Sequence, residues 1–370
     1  MSNTSVASRV SVLHLIHVLG ETNSQYNEHC LPTRDVRNLA ICPFFVPELV
    51  PPPDIRVFAG DSSVPGFFRA LDRAVRTRRY DAIHAHSPQT GTMLALFLLA
   101  HPGRRLRGST VYTVHDSFHD YKPRNKLLML PAFVACKRIV FCSEAAYRSF
   151  PWLLRALVGS RARIVQNAAD LARVEHVVSR VRRPPATRFT VLAVSRLEPV
   201  KDPFVLLRAF RNGTDIPSQL VIVGAGRLGP AVADHIERFQ LADRIEMTGL
   251  IPRDEVFARC TEADVFVSVS HGEGLPVAVM EAMAAGVPVI LSDIPPHREL
   301  VGDADFVPLV PPGDVAGFAR EIRRFQDMSG ELRSQIGARC REHVRRRFTL
   351  ERMQSGYDAV YRELAAEATS

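Results

Sequence analysis

The sequence predicts an α/β protein built from two doubly wound parallel-sheet domains. Three observations carry this expectation. Short apolar runs rich in β-branched residues alternate with longer helical stretches, which is the pattern of a parallel sheet covered on both faces. The pattern halts once at a proline-rich segment and then restarts. The length of 370 residues also exceeds what one core of ordinary size needs.

The elements follow in order. "SVLHLIHVL", ending at Gly20, reads as a first buried strand. "YDAIHAHS", "STVYTVHD", "RIVFCS" and the stretch around Ile164 in "ARIVQNAAD" repeat the design. Between them "VPGFFRALDRAVRTRR", "GTMLALFLLAH" and "PRNKLLMLPAFVACK" read as helices. "VRRPPATR", Val181 to Arg188, is the expected linker, because consecutive prolines continue neither a helix nor a central strand. After it come "FTVLAVS", "QLVIVGAG", "RIEMTG", "DVFVSVS" and "PVILSD" as strands separated by helices, and a last charged helix, "ERMQSGYDAVYRELAAE". The expected division is 1–183, 184–350 and a closing helix 351–370 that returns to the first domain. In such sheets ligands sit beyond the carboxyl ends of the strands, so the loops after strands carry the chemistry.

The composition, 46% hydrophobic and 23% charged, is that of a soluble globular chain. No apolar run reaches the roughly 18 residues needed to span a bilayer, and the first residues lack the regions of a signal peptide. A cytoplasmic protein is therefore expected. The six cysteines include no C-x-x-C pair, so they read as small buried apolar residues rather than zinc or disulfide frameworks. Charge is uneven. Residues 1–185 hold 25 Lys and Arg against 13 Asp and Glu, while residues 186–370 hold 22 against 26. A basic first half suits an anionic partner. The Arg-bearing apolar stretch "FPWLLRALVGSRARI" fits either an interfacial membrane helix or a core-facing one. No nucleic-acid recognition motif accompanies the charge, so no nucleic-acid partner is expected.

The stretch "SHGEGLPVAVMEAMAAGVPVI" places Glu273 and Glu281 in an otherwise apolar setting. On one helix they would stand about 12 Å apart along the axis and about 80° around it, too far to share one bond as acid and base. Pro276 fits the first position of a helix and Gly286 its end. Glu273 then belongs to a loop after a strand and Glu281 to the helix that follows. Free N–H groups of Gly274, Leu275 and the residues after Pro276, Val277 onward, would offer a seat for phosphate or hydroxyls. In "VSRLEPVKD", Arg196 and Lys201 directly follow a strand and suit a diphosphate, one as a planar fork and one as a point charge. Gly224, Gly226 and Gly229 of "IVGAGRLGP" match G-x-G-x-x-G, but no acidic residue ends the next strand, so Gly224 and Gly226 read mainly as a tight strand–helix turn.

Together "VSRLEPVKD", "IVGAG", "TGLIPRDEV", "EADVFVSVS" and "HGEGLPVAVMEAMAAGVPVI" resemble, in order and spacing, the nucleotide-sugar glycosyltransferases of family 4. The likeness is specific from about residue 189 to 310 and looser before it. It implies the GT-B fold, an acceptor-binding first domain and a donor-binding second one, and a retaining transfer of sugar to a hydroxyl acceptor. Glu273 and Glu281 match the E-x7-E motif of that family. The resemblance implies that Arg196 and Lys201 hold the donor diphosphate, Glu281 the ribose and Glu273 the transferred sugar. Gly274, Leu275, Pro276 and Val277 would line the sugar and phosphate, with Ile251 against the base, Gly20 and Gly224 on the donor side, and His115 near the sugar. His84, His86 and His271 would be structural or line the acceptor.

No cofactor and no metal are implied, in keeping with the lack of an Asp-x-Asp after a strand. The expected partners are a nucleotide-sugar donor, a hydroxylated acceptor and, through the basic half, a membrane surface. One departure stands out: the first loop, "VLGETNSQYNEHCLP", has Gly20 alone, then Glu21 and a polar run, Thr22 to Glu28, suited to a hydroxylated acceptor. A nucleotide-sugar epimerase or hydrolase on the same fold, and a partner subunit without chemistry, are the competing readings.

Overall fold

The computed structural model describes residues 9–102, 106–182, 187–215 and 217–369. It divides into two compact units, one of residues 1–166 with 353–370 and one of residues 167–352.

The first unit is built on a seven-stranded parallel sheet: β1 (Ser11–Ile16), β2 (Asn38–Pro43), β3 (Arg56–Val57), β4 (Ala82–Ala85), β5 (Thr110–Val114), β6 (Arg138–Phe141) and β7 (Ala162–Ile164), in the spatial order β3-β2-β1-β4-β5-β6-β7. Both faces of β1, β2 and β5 are buried, so these strands are near-continuous apolar runs. The crossover helices are α1 (Val64–Thr77), α2 (Pro88–Ala100), α3 (Pro123–Ala135), α4 (Glu144–Ser149) and α5 (Trp152–Val158). Local sequence starts them. Ser63 caps α1 by accepting from Gly66 N–H, and Ser87 with Thr90 forms a capping box ahead of Pro88 at α2. β2 is a strand that the sequence reading passed over, although at six residues it is as long as β1; it opens on Asn38 and closes on Pro43, both poor strand formers.

The second unit carries α6 (Leu171–Val178) and a six-stranded parallel sheet, β8 (Phe189–Val194), β9 (Ser218–Val223), β10 (Ile245–Gly249), β11 (Val265–Ser268), β12 (Val289–Ser292) and β13 (Leu309–Val310), in the order β10-β9-β8-β11-β12-β13. Its helices are α7 (Pro203–Gly213), α8 (Gly229–Arg238), α9 (Arg253–Glu262), α10 (Val277–Ala284), α11 (Pro295–Val301), α12 (Val315–Asp327) and α13 (Gly330–Arg347). Alternate strand residues feed two separate cores. Leu192, Phe266, Val289 and Leu291 join the core that contains α10, while Val191, Ala193, Val265, Val267 and Ile290 join the core that contains α7 and α12. This two-sided burial is why the strands of the second half read so clearly as apolar runs.

The division falls at Gln166/Asn167, ahead of the expected proline linker, whose residues 183–186 lie outside the described residues. Packing explains the position: α6 lies against α9 and α10, and the Asn167 amide donates to the Leu275 carbonyl. The last helix, α14 (Leu350–Thr369), belongs to the first unit from Met353 onward. Its charges anchor it there. Asp358 pairs with the buried Arg37, and Glu363 takes both Arg138 and Arg163. The six cysteines are all free and buried. Among the described residues no helix is long and apolar enough to cross a membrane.

Candidate functional site

The loops after β8, β9 and β11 meet at one end of the second sheet. Glycine makes that possible. At Gly224, with φ of +130°, a Cβ would lie 2.1 Å from the Ser195 carbonyl oxygen, and at Gly226 one would lie 2.4 Å from that of Leu197. Leu197 and Leu228 amides donate to the carbonyls of Ala225 and Leu197. The two glycines are therefore a tight turn that lets the β9 loop press against the β8 loop.

That β8 loop delivers Arg196 and Lys201. Asp202, held in the left-handed region (φ 40°, ψ 61°), ends it and caps α7 by accepting from Val205 N–H. Lys201 is pulled inward, and its Nζ stands 2.5 Å from Glu273 Oε1. Ser270 Oγ donates to the same carboxylate oxygen at 2.8 Å. Burial pushes the Glu273 carboxyl up, but Lys201 and Ser270 outweigh it and hold the group below the usual range, so it is charged at neutral pH. Arg196 behaves differently: it is exposed, and its side chain makes no hydrogen bond or ion pair among the described residues.

Glu273 lies in the loop after β11, and α10 begins at Val277 with Pro276 as its N-cap residue. Pro276 offers no side-chain cap, so the first N–H groups of α10 keep the partial positive charge that attracts anions. Gly286, at φ of +82°, lies just past the end of the helix. Glu281 is 7% exposed on α10, and Arg253 Nη2, from the start of α9, donates to its Oε1. Burial raises the Glu281 carboxyl, against the pull of Arg253. The two glutamates are thus separately neutralised, Glu273 by Lys201 and Glu281 by Arg253. They are not an acid–base couple across one bond.

Arg253, Ser270 and His297 are partners that the sequence reading did not assign. Arg253 stands inside the quoted "TGLIPRDEV", and a carboxylate in an apolar helix demands a cation, so charge accounting could have found it. His297 is wholly buried on α11. Its Nδ1–H donates to the Ser292 carbonyl at 2.7 Å, which leaves Nε2 as a bare, buried acceptor. Ser292 Oγ donates to the Ser270 carbonyl and pins the loop that carries Glu273.

Other expected positions fall as follows. Ile251 is half-buried against the core that holds α10. Leu275 is buried, and its carbonyl takes the Asn167 amide. His271 pairs with Asp202 at 2.8 Å, which makes it part of the α7 cap. The sequence does hold one Asp-x-Asp, Asp303 to Asp305, but it follows α11, and Asp305 pairs with Arg339.

Gly20 and His115 belong to the first unit. Gly20 is packed on Glu48, where a Cβ would meet the carboxylate at 2.4 Å. The polar run after it is displayed only in its first half, where Thr22 is exposed and Asn23, Ser24 and Gln25 are half-buried. From Gln25 it folds into a π-helical turn, Gln25–Cys30, that buries Asn27, Glu28 and His29, and the Asn27 amide is spent on the carbonyls of Glu21 and Asn23. His115, just past β5, lies in a group of five imidazoles with His14, His29, His84 and His86.

Residues 24–173 match the domain described as "Glycosyltransferase Family 4", and residues 178–343 match "Glycosyl transferases group 1". The chain belongs to this family of glycosyltransferases. Among relatives, it is 33% identical over 192 residues to the Escherichia coli K12 protein provisionally named colanic acid biosynthesis glycosyltransferase WcaL, covering 50% of this chain and 46% of that one. It is 25% identical to an Escherichia coli UDP-Gal:alpha-D-GlcNAc-diphosphoundecaprenol alpha-1,3-galactosyltransferase, over 80% of this chain and 78% of that one. The chain spans about half the length or less of the first curated relatives it matches. Among solved structures, sucrose-phosphate synthase of Thermosynechococcus elongatus superposes with a TM-score of 0.78 at 18% identity, over 96% of this chain and 100% of that one. Anabaena HepE, solved with UDP and glucose, gives 0.74 at 17% identity with the same coverage. The fold class is GT-B, two Rossmann-like units in one chain.

Proposed function

We propose that this family member is a retaining, metal-independent glycosyltransferase that moves a sugar from a nucleotide-diphosphate donor to a hydroxyl acceptor. The observation that carries the proposal is the arrangement of Lys201, Glu273 and Ser270 beside the uncapped start of α10, with Arg253 and Glu281 one helical face further on. Arg196 brings an unpaired guanidinium to the same loop as Lys201, which suits a diphosphate in bidentate fashion. The first N–H groups of α10 add a third source of positive potential. Three such contributions stabilise the departing diphosphate without a divalent ion. A departing phosphate oxygen can take the acceptor proton, so no protein base is needed for that transfer. Glu273 stays ionised beside Lys201 and orients the sugar while countering positive charge at its reacting carbon. Glu281 is set for the ribose hydroxyls, with Arg253 fixing its rotamer.

One relative whose name specifies a nucleotide-sugar donor, UDP-Gal, and HepE solved with UDP support the donor class. Two relatives are named for lipid-borne acceptors, a diphosphoundecaprenol and a phosphatidyl-myo-inositol, which favours a lipid-linked acceptor. α5 adds to that reading. Trp152, Leu153 and Leu157 are 68%, 61% and 44% exposed on a helix that a core-facing role would have buried. An exposed Trp–Leu–Leu face on a basic unit fits the headgroup region of an anionic bilayer. The test pairs a thermal-shift panel of nucleoside diphosphates and their sugars with donor turnover in the presence and absence of acceptor. Stabilisation by one nucleoside diphosphate, with acceptor-dependent turnover and an α-anomeric product from an α-linked donor, is expected. Turnover that ignores acceptor points to the hydrolase or epimerase, and absence of both binding and turnover refutes the proposal.

A further inference from the structure

The carboxyl ends of β1, β4 and β5 and the π-helical turn gather five imidazoles in the first unit, and the transfer chemistry uses none of their mutual contacts. His86 lies at the centre. Its Nε2 stands 2.9 Å from His14 Nδ1, and its Nδ1 stands 3.2 Å from His115 Nε2. The His84 ring lies 3.9 Å from the His86 ring, and its nitrogens are taken by Tyr361 Oη at 2.8 Å and Thr113 Oγ1 at 2.7 Å. His29 packs edge-on against both His86 and His115, with centroids 4.8 Å and 5.7 Å away. Its Nε2 is buried and has no hydrogen-bond partner among the described residues.

A buried ring nitrogen without a partner has lost its water and gained nothing in return, so a group that fills the need there is favoured. Three nitrogens, one each from His29, His86 and His115, lie within 4.8 Å of one another. Two ligands of a tetrahedral zinc ion, each about 2.0–2.1 Å from the metal, stand about 3.3 Å apart. The 3.2 Å between His86 Nδ1 and His115 Nε2 is close to that value. We propose that His29, His86 and His115 form a binding site for one imidazole-preferring divalent ion of the Zn²⁺, Co²⁺ and Ni²⁺ class, with the fourth position open.

The chemistry of the site supports that choice. Burial holds every one of these imidazoles in the neutral form that ligates, with His115 lowered to about 4. An all-imidazole set favours these ions over Mg²⁺ or Ca²⁺, which prefer oxygen. With Nδ1 on the metal, His86 Nε2 carries the proton and donates to His14 Nδ1, the outer contact that orients a ligating ring. A second trio, His14, His84 and His86, is also close enough. It is the poorer site, because both nitrogens of His84 already hold oxygen partners. Arg37 opposes any cation here by its charge, but it is paired with Asp358.

The site does not depend on the transfer reading, and its test needs no activity. The full chain, freed of metal by chelator and desalting, is titrated with Co²⁺ at pH 7.5 and read by visible absorption. Tetrahedral d–d bands saturating at one equivalent, displaced by Zn²⁺ and not by Mg²⁺, are expected. His29→Gln should weaken binding at least tenfold, and His115→Gln, at a partly exposed position, gives a second variant if the first fails to fold. His119→Gln, at an exposed position of the same unit, should leave binding unchanged. Absence of Co²⁺ bands in the wild-type chain overturns the proposal. So does a folded His29→Gln chain that binds as the wild type does while His14→Gln loses the ion, which would move the site to the other trio.

Discussion

Acidification should destabilise the first unit through its buried imidazoles, and His14 lets the size be worked out. The residue is wholly buried, and burial first, then the Arg37 charge, lowers its imidazole from 6.5 to about 3. The folded state therefore holds His14 neutral, while the unfolded chain takes up a proton as pH falls below 6.5. The contribution to stability is complete above 6.5 and is lost progressively down to about 3. The slope is about 1.4 kcal/mol per pH unit for each such group. Between pH 7.5 and 5.0 the loss from His14 alone is then about 2 kcal/mol, a large share of a stability of about 5–15 kcal/mol.

The assay is urea unfolding of the metal-free chain at both pH values, followed by circular dichroism, with limited proteolysis to assign each transition to a unit. His14→Gln removes the titrating group and should shrink the difference between the two pH values by about 2 kcal/mol. A folded His14→Gln chain whose stability falls between pH 7.5 and 5.0 by as much as the wild type's would refute the reasoning. Carboxylate protonation cannot mimic this result, since both chains share the same carboxylates.

Four further outcomes are expected from the second unit and α5. Lys201→Met leaves Glu273 buried without its cation and should cost about 3–5 kcal/mol, whereas Lys201→Met with Glu273→Gln recovers much of that stability while transfer stays abolished; urea midpoints and turnover of the two chains check it. Arg253→Met should raise the Glu281 carboxyl further and weaken nucleoside-diphosphate binding at least tenfold by calorimetry, with the loss growing as pH is lowered toward 5. Gly224→Ala forces a Cβ onto the Ser195 carbonyl at a φ of +130°, and should lower stability by about 1–3 kcal/mol and displace Arg196, read as a rise in donor KM. Trp152→Ser with Leu153→Ser should reduce sedimentation with anionic vesicles and leave turnover of a water-soluble acceptor unchanged.

Much of this was legible in the sequence where period and punctuation are strong. β8, β9, β11 and β12 are buried on both faces, so their apolar runs are nearly continuous. Pro276, Gly286 and Gly224 mark turns that only those residue types make well. β2, β3 and β13 were not legible, since the first opens on Asn38 and closes on Pro43 and the other two are only two residues long. The unit boundary was misplaced for a related reason. The prolines at 184 and 185 interrupt the sequence pattern and lie outside the described residues, whereas compactness is decided by α6, whose partners α9 and α10 arrive some 80 to 100 residues later. In the polar run after Gly20 the sequence does not separate the accessible first half from the buried second half, because a run of hydrogen-bonding side chains looks the same whether it faces a ligand or its own backbone. Only the carbonyls of Glu21 and Asn23, brought round by the π-helical turn, decide that Asn27 serves the loop.

The pairing of each glutamate with its own cation also constrains how the site can work. Lys201 gives one of its three N–H donors to Glu273 at 2.5 Å, so in serving the diphosphate its single charge is divided between carboxylate and phosphate. Ser270 keeps a second hydrogen bond to the same oxygen, so Glu273 remains oriented when Lys201 is shared. Arg196, with no side-chain partner among the described residues, can bind phosphate without breaking any contact seen there. The two cations are therefore unequal. Replacing Arg196 by Met removes an attraction that costs the empty protein nothing, so it should raise donor KM more than it lowers kcat and leave the unfolding midpoint unchanged. Replacing Lys201 should lower kcat and stability together. Equal effects of the two substitutions on stability would show that the Lys201–Glu273 contact is not what positions the carboxylate.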